Sequence, residues 1–113
     1  ELSDTEPQAH NNLGVAHLRL RDLERAAAEF QAELKYRPEN ILSLFNLGLV
    51  RFNQGKLTEA ESLWKETVRI SPAYTSAWLG LIQLYSLLKE PEKEAEARRA
   101  LERNGEWDPS HGI

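Results

Sequence analysis

Residues 41–74 read ILSLFNLGLVRFNQGKLTEAESLWKETVRISPAY, and the fold turns on this stretch. Ile41, Leu44, Leu47, Leu49, Val50 and Phe52 recur at helical spacing, so a first helix is predicted from Ile41 to Asn53. Gln54-Gly55-Lys56 breaks it. Leu57, Ala60, Trp64 and Val68 then resume the same period up to Ile70, and Thr58 followed by Glu61 resembles part of a capping box. Ser71-Pro72 closes the unit, because proline cannot continue a helical hydrogen-bond ladder.

A shift of 34 residues lays this stretch over its neighbours. Leu13-Gly14 falls on Leu47-Gly48, Ala26 on Ala60, Phe30 on Trp64 and Pro38 on Pro72. A further shift carries Leu47 to Leu81. Such self-similarity at a fixed period is the signature of a repeat architecture, and each period holds two helices. The first period predicts helices over 8–20 and 23–36, joined by Arg21-Asp22 and ended by Arg37 to Asn40, with Asn40 placed to cap the next helix. The third predicts helices over 75–88 and from Pro91 to Arg103, with Asn104-Gly105 as the stop. Ser3 to Glu6 has capping-box spacing ahead of Pro7. No run of alternating β-branched residues competes, so the class is all-α.

Composition narrows the function. The chain has 113 residues, enough for one domain. It has no cysteine, which removes disulfides and thiolate metal sites. It starts at Glu1 without a methionine, as expected of a fragment or a processed chain. The net charge of -4 disfavours nucleic-acid binding. The densest basic cluster, Arg98, Arg99 and Arg103, alternates with Glu94, Glu96 and Glu102 as a solvated helix face does. No apolar run reaches the roughly 20 residues of a membrane span, so direct membrane insertion is not expected and a soluble, cytoplasmic setting is the default. His10 and His17 lie seven residues apart, about 10 Å along a helix, too far to share one zinc ion. His111 lies in the tail. No metal, no cofactor and no catalytic constellation is expected.

These residues resemble the tetratricopeptide repeat. Leu13, Gly14, Ala26, Phe30 and Pro38 match its pattern in the first period. Leu47, Gly48, Ala60, Trp64 and Pro72 match it in the second, and Trp78, Leu81 and Tyr85 in the third, where Ile82 stands in place of the usual glycine. The resemblance implies a right-handed superhelical stack (an α-solenoid) of three antiparallel helix pairs. The repeats would span about 7–40, 41–74 and 75–105, with a tail over 106–113. It also implies a protein-binding scaffold or adaptor rather than an enzyme, with a peptide or helix of a partner held in the concave groove. Self-association into a homo-oligomer, or docking within a larger protein, is the alternative.

Carried over by position, the groove takes Gln8, Asn11, Asn12, Val15, Leu18 and Arg19 from the first helix. From the third come Leu42, Phe45, Asn46, Leu49, Phe52 and Asn53. From the fifth come Ser76, Leu79, Gly80, Gln83 and Leu87. The third helix supports this independently, because it is apolar nearly all round and must be covered on more sides than one. Phe45, Leu49 and Phe52 form one stripe, either a binding surface or a row that the stack itself closes over. Asn12 and Asn46, one period apart, are either an amide ladder for a peptide backbone or two unrelated polar residues. Some relatives hold a partner's terminal carboxylate with basic residues and asparagines. The matching positions here are Asn11, Val15, Asn46, Ser76 and Gly80, and only Asn46 fits, which argues against that mode. Trp107 either folds back over the last pair or marks a contact.

Overall fold

A computed structural model describes residues 9–105 of the chain. Ser3 to Glu6, Pro7, Gln8, Trp107 and His111, all invoked above, lie outside the described residues. Six α-helices follow one another: α1 (Ala9–Arg19), α2 (Leu23–Tyr36), α3 (Ile41–Asn53), α4 (Leu57–Ile70), α5 (Thr75–Leu87) and α6 (Pro91–Ala100). Among the described residues there is no strand. The helix limits agree with the expected ones at α2, α3 and α4. At the end they differ: α6 stops at Ala100, and Leu101–Gly105 forms a wider π-type turn in place of a helix running to Arg103.

The turns inside each pair show why one period yields one structure. Asp22 N–H donates to His17 O at 2.9 Å, Lys56 N–H to Arg51 O at 2.8 Å, and Glu90 N–H to Tyr85 O at 2.9 Å. One residue earlier, Arg21, Gly55 and Lys89 donate to Leu18, Phe52 and Ser86. This is a Schellman closure, made three times at intervals of 34. It requires a left-handed residue just past the helix end, and Arg21, Gly55 and Lys89 have φ of 63°, 80° and 58°. Only one of the three is the glycine that this conformation favours.

Side-chain caps differ from helix to helix. Asn40 Oδ1 accepts from the N–H groups of Leu42 and Ser43 at the start of α3, as the sequence suggests. Asp22 does the same for α2 through Arg25 N–H. Thr58, read as part of a capping box, is instead the second residue of α4, because the Schellman turn starts the helix at Leu57.

The chain divides into two compact units, with the border inside α4 between Leu63 and Trp64. In the first unit, Ala26, Ala27 and Phe30 of α2 pack with Leu47 and Val50 of α3, and Leu63 of α4 leans on that core. Gly14 of α1 meets Phe30: a Cβ there would lie 2.6 Å from the ring. Glu33, fully buried on α2, accepts from Arg37 and from Asn40 Nδ2, each at 3.1 Å, and so ties the helix to the turn that follows it. In the second unit, Trp64 of α4 is 1% exposed and lies against Gly80 of α5. Leu81, Leu84 and Tyr85 of α5 and Ala97 and Ala100 of α6 are also buried.

Candidate functional site

The expected groove residues separate into those that hold the fold and those that remain accessible. In the first unit, Asn11 is buried, and its Oδ1 accepts from Ser43 Oγ at 3.1 Å and from Asn46 Nδ2 at 3.3 Å. It is a strut between α1 and α3, not a lining residue. Val15 and Leu18 are half-buried and pack against the Phe30–Leu47 core. The supposed pair of equivalent amides is unequal: Asn12 is exposed, whereas Asn46 already spends one N–H on Asn11.

Phe45, Leu49 and Phe52 are each half-buried on α3, while Leu44, Leu47 and Val50 on the same helix are buried. The helix therefore distinguishes a core side from a partly open side, as its spacing implies. Leu42, at the top of α3, is exposed. At the bottom, Asn53 Nδ2 donates to Leu49 O at 2.7 Å and Asn53 Oδ1 accepts from Arg21 at 3.3 Å, so Asn53 closes the helix end.

In the second unit, Leu79, Gln83 and Leu87 on α5 are exposed and spaced four residues apart, hence on one face. The two leucines are 51% and 59% exposed, a large apolar surface for one short helix. Gly80 does not belong with them. A Cβ added there would meet the Trp64 ring at 3.0 Å, so Gly80 is a packing position. Trp78 Nε1 donates to Pro72 O at 2.7 Å and fastens α5 to the turn before it.

His10 Nδ1 lies 2.7 Å from Glu29 Oε1, joining α1 to α2. Among the described residues, no group of three or more His, Cys, Asp or Glu is placed to hold a metal ion. No helix among them is long and apolar enough to cross a membrane.

Three repeated helix–turn–helix units with the same closing motif define a helical-repeat protein. The chain belongs to the tetratricopeptide repeat family: models of that repeat match residues 7–40 and 45–109. A solved structure of MamA aligns with a TM-score of 0.84 at 22% identity, over 89% of this chain and 60% of that one. An arginine-to-glutamate mutant of MamA aligns with a TM-score of 0.78 at 17% identity, over 93% of this chain and 78% of that one. These likenesses bear on the fold, and the chain spans about 60% of the length of the first MamA structure. No curated protein matches the chain. Tetratricopeptide repeats generally mediate protein–protein interaction and are typically non-catalytic.

Proposed function

We propose that the chain is one interaction domain, with repeats at about 7–40, 41–74 and 75–105, that binds a peptide or helix of a partner protein and carries no catalytic chemistry. The observation behind this is the row Phe45, Leu49 and Phe52, half-buried on a helix whose other side is already in the core. A partner side chain laid on this row removes apolar area from water at roughly 25 cal/mol per Å², less the cost of ordering. Asn12 and the remaining amide capacity of Asn46 supply polar contacts beside it. Leu79 and Gln83 offer a further contact on the second unit.

The test begins with peptides selected from a random display library on the full chain, which are then measured against Leu49→Glu. Leu49 lies outside the buried core, so the variant should keep its helical spectrum and lose less than about 1.5 kcal/mol of stability. Binding should weaken more than about tenfold, equivalent to about 1.4 kcal/mol. Selected peptides that bind the variant as well as the parent place the contact elsewhere. If the chain is instead a dimer that Leu49→Glu dissociates, the row serves self-association.

A further inference from the structure

Helix α5 carries no charge on any side. From Ile70 to Leu88 the sequence holds no Asp, Glu, Lys, Arg or His. On the core side Ala77, Leu81, Leu84 and Tyr85 are buried. Ser76, Leu79, Gln83, Ser86 and Leu87 are exposed, and the helical period of 3.6 residues puts them on one stripe. The exposed positions of α4 and α6 are different: they include Glu59, Lys65 and Arg69 on the one and Glu92, Lys93 and Arg99 on the other. Charged positions of that kind are usual on a face that meets only water, whereas a helix without a charged face is one that other groups cover.

The two sides of α5 differ in the same way. Beside Trp78 and Tyr85, α4 and α6 frame a furrow whose charges satisfy one another, Arg69 with Glu66 and Lys93 with Glu90. The stripe on the other side of the helix offers an occupant no charge at all. A charge on the occupant's contact face would lose its water there with nothing opposite to replace it, so that face must be uncharged. An extended peptide would also bring unpaired backbone N–H and C=O groups against Leu79 and Leu87, with only the side chains of Ser76, Gln83 and Ser86 to answer them. A helix arrives with its backbone already paired, and its side-chain ridges pack between those of α5. Leu79 and Leu87 lie about 12 Å apart along the axis, the rise of a little over two helical turns.

We propose that the stripe of Leu79, Gln83 and Leu87 binds a helix of a partner protein whose contact face is apolar and uncharged, with an amide or hydroxyl opposite Gln83. This rests on the reading of the chain as a peptide- or helix-binding domain and narrows the ligand. It is a helix rather than an extended peptide, and its bound face is neither acidic nor basic.

The probe is a fluorescein-labelled peptide of about 18 residues, long enough to form a helix by itself. One face holds leucine, alanine and a central glutamine, and the other alternates glutamate with lysine. It is titrated with the full chain and followed by anisotropy. Saturable binding is expected, weakened about tenfold or more when two contact-face leucines become glutamate, when they become lysine, or when a central proline breaks the helix. Gln83→Glu and Gln83→Lys should each weaken the uncharged-face peptide about tenfold while keeping the helical spectrum, and Gln83→Lys should bind the glutamate peptide more tightly than the unaltered chain does. Gln31→Lys makes the same change at an exposed site of α2 and should stay within about twofold. The proposal is overturned by absence of saturable binding, by a charged-face or proline peptide that binds the unaltered chain as well as the first peptide does, or by equal losses in Gln31→Lys and Gln83→Lys. It is also overturned if the chain is a dimer that Gln83→Glu dissociates, since the occupant is then a second copy. If Leu49→Glu weakens library-selected peptides while Gln83→Glu leaves the helical probe unaffected, the α3 row stands and this site falls. If the probe needs Gln83 while no selected peptide responds to Leu49→Glu, this site stands and the α3 row falls.

Discussion

Gly14 lies so close to Phe30 that a Cβ built on it would sit 2.6 Å from the ring, below any ordinary contact distance. Phe30 is fully buried and cannot swing away. Alanine would add about 1 kcal/mol of helix propensity over glycine, but overpacking a tight core costs typically about 1–3 kcal/mol. Gly14→Ala should therefore be destabilising in urea denaturation. Gly80→Ala meets Trp64 at the looser distance of 3.0 Å and should lose less. The reverse order would mean that the α1–α2 approach is not the tighter of the two.

Trp64 is 1% exposed and makes the α4 side of its contact with α5. Trp64→Ala should lose about 3–5 kcal/mol, the usual cost of emptying a large aromatic site. A loss below about 1 kcal/mol is incompatible with that burial.

Asn11→Ala should leave the Ser43 hydroxyl, which is buried, without its acceptor. One unsatisfied buried polar group costs about 1–3 kcal/mol. Adding Ser43→Ala removes the orphaned group, so the double variant should lose less than the sum of the two singles. Additivity within about 0.5 kcal/mol would show that the two are not coupled.

Lys89 takes a left-handed backbone, with φ of 58°, at the position where the second turn has Gly55. An L-residue there carries strain of roughly 1–2 kcal/mol, partly offset by glycine's larger unfolded entropy. Lys89→Gly should raise stability by roughly 0.5–1 kcal/mol. Gly55→Ala should lower it by about as much, although a Cβ there has nothing within 4 Å. Thermal denaturation of both variants checks the signs, and a neutral pair would show that the turns relax.

Much of this was legible in sequence because a repeat states its pattern more than once. Leu13, Leu47 and Leu81, Phe30 and Trp64, and Pro38 and Pro72 locate the helices and their ends through local periodicity and proline's missing N–H. Thr58 misled, because cap residues bind only where the preceding turn places them, and here the Schellman closure puts the cap position at Lys56, two residues earlier. Arg21 and Lys89 gave no signal of their left-handed backbone, since neither is a residue type that favours it.

The candidate sites divide along the same line. Local sequence determined which residues of α3 share a face, because 3.6 residues per turn puts Phe45, Leu49 and Phe52 in one row. Tertiary structure alone decided what each face meets. Asn11 and Gly80 occupy expected groove positions but are consumed by contacts with Ser43 and Trp64, since a helix face has no fixed neighbour until another helix packs on it. The furrow beside Tyr85 needed structure too. Its residues come from three helices, and only packing brings Lys65, Trp78 and Ala97 to one opening.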